Sequence, residues 1–153
     1  MCAEAMTGTL YLDDVKVGDR FVSREQTLDA GEIIDFASRF DPQRFHLSDA
    51  AAQGTIFQGL AASGWHTAAI TMRLLVESMP LADGLIGAGV EVAWPRPTRP
   101  GDTLRAETTV LDIRPSRSKP AQAIATLETL TYNQKDEVVQ RMQSKNVLYR
   151  RRG

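Results

Sequence analysis

The sequence predicts an α+β fold in which a curved antiparallel β-sheet surrounds one long buried helix. Helical signals fill the first half of the chain, and strand signals fill the second half. Residues 63–79 would be apolar on most sides of a helix, which is typical of a buried helix. The last three strand candidates are long, sequential and joined by short connections, which favours antiparallel pairing. Packing one helix against one sheet would bury the apolar surfaces of both.

The first helix is predicted over residues 29–40. Asp29 is a suitable N-cap, and Glu32 three residues later completes a capping box. Apolar side chains then recur at helical spacing. Pro42 ends the helix, because the residue before a proline, here Asp41, is disfavoured in helical geometry.

The long helix is predicted over residues 63–79 and follows a short helical turn at residues 48–53. Ser63 is a suitable N-cap, and no proline occurs again until Pro80. One apolar stripe of this helix is expected to lie in the core, and it consists of Trp65, Ala69, Met72, Val76 and Met79.

Four strands are predicted after the long helix, at residues 85–94, 103–113, 121–132 and 138–149. Pro95, Pro97 and Pro100 separate the first from the second, because proline cannot donate to a strand ladder. Alternation in the second strand places one set of side chains on a common face, namely Leu104, Ala106, Thr108 and Val110. Short β segments at residues 11–12 and 21–22 bring the expected total to five or six.

The composition indicates a single domain over residues 1–153, with residues 1–9 and 150–153 as loose termini. The chain is 42% hydrophobic and 24% charged, as in ordinary globular proteins. Its formal net charge of −1 argues against a nucleic-acid-binding protein that neutralises phosphates.

Cysteine usage and the absence of long apolar runs indicate the compartment. Cys2 is the only cysteine, so neither an intrachain disulfide nor a cysteine-based zinc site can form, and no metal is expected. The start of the chain lacks the features of a signal peptide. The most apolar stretch, residues 59–76, contains His66 and Arg73 and is therefore not a membrane span. A cytoplasmic protein without membrane association is expected.

Asp41 and His46 are the main candidates for acid–base chemistry. They lie five residues apart on a segment expected to be irregular, just past the end of the first helix. Imidazole titrates near neutral pH, and a nearby carboxylate can orient it. The alternative is that Asp41 only caps the next turn and His46 is a packed histidine, since short Asp/His spacings are common by chance.

Gly64, directly after Ser63, is a candidate donor to a ligand oxygen. The first turn of a helix leaves amide N–H groups unpaired, and small residues there let a ligand approach the backbone. The alternative is a helix cap beside tight packing. His66, one turn further along, is expected to be a packed histidine.

Two basic segments could contact the phosphates of a ligand. Arg96 and Arg99 lie on a proline-rich turn, and Arg117 and Lys119 lie between two predicted strands. Both segments could equally be solvated turns, since small charge clusters are common on surfaces.

Together these segments resemble the MaoC-like dehydratases, the family of (R)-specific enoyl-CoA hydratases. The shared segments occur in family order, cover most of the chain from about residue 11 to 149, and are residues 17–19, 41–46, 59–66, 94–97 with 100–102, and 116–120. The resemblance implies the hot-dog fold, in which an antiparallel sheet wraps a long helix.

The family's hydratase motif, Asp-x-Asn-Pro-x-His, matches Asp41 and His46 at the same spacing. In this chain a proline directly follows the aspartate, and Gln43 stands where asparagine is usual. The family's Ala-His-Gly at the helix entry is here Ala-Ser-Gly, ending at Gly64. The resemblance implies that Asp41 and His46 are the catalytic pair and that Gly64 is the oxyanion donor.

The implied activity is reversible hydration of a trans-2-enoyl-CoA to a (R)-3-hydroxyacyl-CoA, with coenzyme A entering as part of the substrate and no other cofactor. The alternatives are an acyl-CoA thioesterase on the same fold and a non-catalytic acyl-CoA-binding subunit of a heteromeric dehydratase. A homodimer or larger assembly is expected, because one sheet leaves an edge and an apolar face uncovered. Substrate contacts are expected from Ser63, Trp65, Phe57, Arg96, Arg117 and Lys119.

Overall fold

A six-stranded antiparallel sheet forms the body of the structure, a computed structural model that describes residues 8–152. The predicted α+β hot-dog architecture is confirmed. The strand order is β1-β4-β5-β6-β3, with β2 also paired to β4. The strands are β1 (Arg20–Val22), β2 (Gln26–Thr27), β3 (Ile86–Ala93), β4 (Thr103–Pro115), β5 (Gln122–Tyr132) and β6 (Val138–Tyr149).

Four α-helices accompany the sheet, and α4 is the long one. They are α1 (Ala30–Phe40), α2 (Arg44–Leu47), α3 (Asp49–Ala52) and α4 (Gly64–Ser78). The predicted capping box of α1 is present, since Glu32 N donates to Asp29 Oδ1 at 2.8 Å and Asp29 N donates to Glu32 Oε1 at 3.3 Å. The helix ends where predicted, with Asp41 as its C-cap.

Two short segments differ from the prediction. Residues 44–47 form the helical turn α2, where an irregular segment was expected; His46 N donates to Gln43 O at 2.9 Å and closes the turn. Residues 11–12 were expected in a strand, but Leu12–Asp14 is a 3₁₀ turn. The side chain of Asp14 accepts a hydrogen bond from Tyr11 N at 2.9 Å, which stabilises that turn over an extended segment.

α4 packs into two apolar clusters of the core, and the predicted stripe of that helix is largely wrong, with Met79 as its one buried residue. Leu74 and Leu75 are fully buried and belong to two different apolar clusters. By contrast Trp65 is 61% exposed and Met72 is 43% exposed. Their side of the helix lines an open groove beside β3 instead of packing against the sheet's buried face.

The buried face of the sheet carries threonines as well as apolar residues. The predicted alternation in β4 holds from Leu104 to Val110, after which a β-bulge shifts the register. Thr108 bonds to Thr129 at 3.0 Å, and Thr71 of α4 bonds to Thr131 at 2.6 Å. These pairs satisfy hydroxyl groups that burial would otherwise leave without partners.

The C-terminal arginines are attached to the fold, contrary to the expected loose end. Arg150 N donates to Ala121 O at 2.8 Å, and Arg151 N donates to Asp13 Oδ2 at 2.7 Å. The Arg151 guanidinium also pairs with Asp14 at 2.6 Å. Cys2 and the rest of residues 1–7 lie outside the described residues, as does residue 153. None of the helices within residues 8–152 combines the length and apolar character needed to cross a bilayer.

Candidate active site

Asp41 and His46 come together at the point where α1 ends. Pro42 stops α1 at Asp41, and the turn α2 then brings His46 back so that its Nε2 lies 3.3 Å from Asp41 Oδ2. His46 is only 5% exposed, and its ring packs edge-on against Phe45 and near Phe57. The predicted pair is therefore a real juxtaposition in the fold.

The hydrogen bonds of His46 determine which ring nitrogen can exchange a proton. His46 Nδ1 lies 2.7 Å from the carbonyl oxygen of Ala61. A carbonyl oxygen only accepts, so Nδ1 carries a hydrogen in every protonation state that keeps this bond. Nε2, which faces Asp41, is then the nitrogen that takes up or releases a proton.

The carboxylate of Asp41 is held by two neutral donors. Ser63 Oγ donates to Oδ2 at 2.7 Å, and Gln43 Nε2 donates to Oδ1 at 2.6 Å. Burial raises the pKa of Asp41, but the hydrogen bonds from Ser63 and Gln43 and the nearby His46 outweigh it, so the pKa lies below its ordinary value. Ser63 and Gln43 stand at two of the positions where this sequence departs from the family motifs, and both donate hydrogen bonds to the Asp41 carboxylate.

The amide of Gly64 is the unpaired donor of the first turn of α4. Ser63 Oγ accepts from Trp65 N at 3.2 Å, and Ser63 O accepts from His66 N and Thr67 N at 3.0 and 3.1 Å. Within residues 8–152 nothing accepts a hydrogen bond from Gly64 N. Gly64 lines the same cavity as His46, so its N–H can meet a ligand there.

The cavity has a volume of about 310 Å³ and combines predicted with unpredicted residues. Four of the predicted site residues line it, namely His46, Phe57, Gly64 and Arg96. The other lining residues, which were not predicted to belong to the site, are Ala62, Thr67, Trp94, Pro95, Pro97 and Thr98. The three closely spaced prolines after β3 were the available signal, since they mark a stiff loop that can form a wall.

Trp94 packs directly against Gly64. A β-carbon built on Gly64 would lie 2.6 Å from Trp94 Cε2, so residue 64 must be glycine while the indole stays in place. Trp94 Nε1 donates to Gln140 Oε1 at 2.9 Å, and this bond fixes the orientation of the ring. Gln140 belongs to β6 and is fully buried.

Some predicted site residues lie elsewhere in this chain. Trp65 faces the groove beside β3 and touches the cavity only through the Trp94 ring, with the two ring centroids 5.4 Å apart. Arg117 and Lys119 lie on the hairpin between β4 and β5. β4 has 13 residues, so at ~3.3 Å per residue the hairpin lies about 40 Å from the start of that strand at Thr103. The cavity opens close to that start.

The arginines after β3 have different partners from those expected. Arg96 is exposed at the cavity rim and pairs with Glu137 at 3.4 Å. Arg99 was a candidate phosphate contact, but its guanidinium donates to the backbone oxygens of Phe57, Gly59 and Leu60. It holds the loop that carries Phe57 against the cavity, so its role here is to shape the site.

The second histidine, His66, is packed as predicted. Its ring stacks on Phe36 with centroids 4.6 Å apart and an angle of 5° between the planes. Burial lowers the pKa of His66, which keeps the ring neutral. Within the described part of the chain, no group of three or more His, Cys, Asp or Glu side chains is arranged to hold a metal ion.

Comparison with known proteins places this arrangement in a family. The MaoC like domain matches residues 15–133 of the chain. The chain belongs to the MaoC-like domain family. The uncharacterized protein YdeM of Bacillus subtilis (strain 168) is 34% identical over 130 residues, which cover 83% of this chain and 90% of that protein.

Solved structures of MaoC-like proteins show the same fold. The MaoC-like dehydratase from Rhodospirillum rubrum is 58% identical, with a TM-score of 0.93, over 95% of this chain and 100% of that one. The (R)-hydratase from A. caviae involved in PHA biosynthesis is 27% identical, with a TM-score of 0.69, over 89% of this chain and 98% of that one. At the family level these similarities support hydration or dehydration of acyl thioesters.

Proposed function

We propose that the protein catalyses the reversible hydration of a trans-2-enoyl-CoA to a (R)-3-hydroxyacyl-CoA. The observation that carries the proposal is the arrangement of three groups: His46 and the unpaired amide of Gly64 line one cavity, and the carboxylate of Asp41 lies 3.3 Å from His46 Nε2. The similarity to an (R)-hydratase and to a MaoC-like dehydratase supports the same reaction class.

In this reaction Asp41 and His46 position one water molecule, which lies beside the pair because their facing atoms are only 3.3 Å apart. His46 Nε2 accepts a proton as the water oxygen bonds to the β-carbon, and the electron pair of the double bond shifts toward the thioester oxygen. The pair then delivers a proton to the α-carbon. Asp41 keeps its negative charge at neutral pH, because its pKa lies below the ordinary value, and so stabilises the protonated imidazole.

Gly64 stabilises the negative charge that develops on the thioester oxygen. Its N–H points from the first turn of α4, where the helix dipole also favours negative charge. A donor of this kind acts on the transition state more than on the bound substrate. Coenzyme A enters as part of the substrate, and the reaction needs no further cofactor. We also propose that the protein is cytoplasmic.

The activity is tested with enoyl-CoA thioesters of graded length, by following the loss of the conjugated double bond and the formation of free thiol together. Hydration without release of coenzyme A supports the proposal, and release of coenzyme A identifies a thioesterase instead. Oxidation of the product by a (R)-specific but not an (S)-specific 3-hydroxyacyl-CoA dehydrogenase supports the stereochemistry. No reaction with any thioester would support a non-catalytic subunit.

We also propose that the protein acts as a homodimer joined through β3. Among the described strands β3 pairs only with β6, so its outer edge is free, and Val90 on it is 58% exposed. The exposed apolar side chains Trp65 and Met72 of α4 lie beside it. An unpaired edge next to an apolar face is a surface that a second copy of the chain would cover.

Antiparallel pairing of two β3 edges would place the predicted phosphate contacts of one copy close to the site of the other. β3 starts near the β4–β5 hairpin, where Ile86 pairs with Val147, and ends beside the cavity, just before Trp94. A two-fold axis reverses the second copy, so its hairpin end would lie at the cavity end of the first. Arg117 and Lys119 of one copy would then contact the coenzyme A phosphates of a ligand bound to the other.

The dimer is tested with two matched valines on opposite edges of the sheet. Val90 on β3 is 58% exposed, and Val22 on β1 is 56% exposed. Val90→Lys is expected to halve the mass measured by light scattering and to lower activity, while Val22→Lys changes neither. A mass unchanged by Val90→Lys would locate the interface elsewhere.

A further inference from the structure

Two aromatic rings separate the catalytic cavity from a second, apolar groove. Trp94 lines the cavity, and Trp65 lines the groove between α4, β3 and β6. The two indoles meet edge to face, with centroids 5.4 Å apart and planes at 79°. The groove also has a volume of about 310 Å³, and its apolar lining residues include Met72, Leu85, Val90, Val92 and Met142.

Trp94 is held in place from both sides. On one side its six-membered ring lies against the backbone of Gly64, with no room for a β-carbon between them. On the other side its indole N–H donates to Gln140 Oε1. Gln140 is fully buried, and its Nε2 has no partner within the described residues, so its side chain is bonded to Trp94 alone. A buried amide that makes only half of its possible hydrogen bonds is costly. The one hydrogen bond that Gln140 makes fixes the position of the Trp94 ring.

We propose that Trp94, positioned by Gln140, ends the acyl-binding part of the catalytic cavity and so restricts the enzyme to short-chain enoyl-CoA substrates. This inference rests on the proposed hydratase function. The cavity volume of about 310 Å³ is at the lower end of the range for ligand sites, about 300–1,000 Å³. The reacting carbons of the substrate must lie between His46 and Gly64. The acyl chain that extends past Gly64 then meets the indole, and removing the indole lengthens the space available to the chain.

Chain-length profiles of Trp94 variants test this inference. The dissociation constants of saturated acyl-CoA thioesters of four to twelve carbons are measured by calorimetry, together with turnover of the corresponding trans-2-enoyl thioesters. In the natural protein, the affinity for acyl-CoA is expected to rise with chain length only until the acyl chain reaches Trp94. The chain length at which the rise stops is called the break in the profile. In Trp94→Ala the affinity is expected to keep rising by about fourfold per added methylene, since each buried methylene contributes ~0.8 kcal/mol.

Two further variants test whether Trp94 limits the length of the acyl chain or affects binding only through general packing. Trp65→Ala removes the neighbouring indole on the groove side and is expected to keep the break in the profile at the natural chain length. Trp94→Leu leaves a smaller wall and is expected to shift the break to longer chains, and it replaces Trp94→Ala if that variant is unstable. Comparing slopes within each variant removes any uniform loss of affinity.

The outcomes distinguish this inference from the proposed function. If both Trp94 variants keep the break at the natural chain length, Trp94 is not the wall. A natural protein that binds long chains as tightly per methylene as short ones would also overturn the inference. Failure to hydrate any enoyl-CoA would reject the hydratase function, while the binding profiles would still report whether Trp94 limits the chain.

Discussion

Substituting Gly64 tests its oxyanion role only if Trp94 is changed with it. A β-carbon on residue 64 would lie 2.6 Å from Trp94 Cε2 and 2.7 Å from Cδ2. Ordinary carbon contacts are about 3.5–4.0 Å, so the indole would have to move by about 1 Å. That movement would break the 2.9 Å hydrogen bond to Gln140. We expect Gly64→Ala alone to destabilise the fold by about 1–3 kcal/mol through overpacking.

The decisive comparison is therefore between Gly64→Ala and Gly64→Pro, each combined with Trp94→Ala. Both substitutions add a β-carbon, and only proline removes the N–H. Proline is tolerated at the first helical position, and the ψ of 139° at Ser63 keeps that residue outside the α region that a following proline disfavours. We expect the double variant with Gly64→Pro to have a kcat about 10²–10³-fold lower than the double variant with Gly64→Ala, with a smaller change in KM.

Steady-state kinetics and urea unfolding of the same variants provide the measurements. Circular dichroism establishes that α4 is retained in both double variants. Equal kcat values in the two would show that the Gly64 amide does not stabilise the transition state. The unfolding data test the packing separately. Gly64→Ala should cost much less in a chain that already carries Trp94→Ala than in the natural chain, and additive costs within about 0.5 kcal/mol would refute the contact.

Three further predictions follow from the site and the core. Asp41→Asn or His46→Ala should lower kcat by about 10²–10⁴-fold, and the double variant should be little worse than either, as measured by steady-state kinetics; near-additive losses would contradict a joint role. Leu75→Ala should destabilise by about 2–5 kcal/mol in urea unfolding, whereas Val22→Ala should cost much less, because Leu75 is fully buried and Val22 is 56% exposed on β1; equal costs would contradict this packing. The pKa of Asp41 lies below its ordinary value of 3.8, so its contribution to stability is present above pH 3.8 and lost as the pH falls through the folded-state pKa, and Asp41→Asn should flatten that part of an acid-unfolding curve.

The sequence predicted the elements whose signals are local. The capping box at Asp29 and Glu32 defined the start of α1, and Pro42 defined its end. Strict alternation in β4 identified its buried face, because a strand places successive side chains on opposite sides. Both kinds of signal depend only on neighbours along the chain, so no knowledge of the fold was needed.

The hydrogen-bond partners of Asp41 could not be predicted in this way. Gln43 appeared in the sequence only as a departure from the family's usual residue, and Ser63 appeared as a helix N-cap and an expected substrate contact, not as a partner of Asp41. Ser63 lies 22 positions from Asp41, and nothing in a single sequence indicates that its hydroxyl reaches that carboxylate at 2.7 Å. Trp94 and Gln140 are 46 positions apart, and their bond likewise depends on how β3 and β6 pair.

The wrong prediction for α4 has a different cause, which concerns what an apolar pattern can specify. The apolar residues around α4 indicate that its faces are buried from water. They do not indicate whether its own chain or a second copy covers each face. Leu74 and Leu75 are covered by the chain's own clusters, whereas Trp65 and Met72 remain open beside the free edge of β3. A helix that is apolar on most sides therefore fits two partners: the sheet of its own chain on one side and, in the proposed dimer, a second copy on the other.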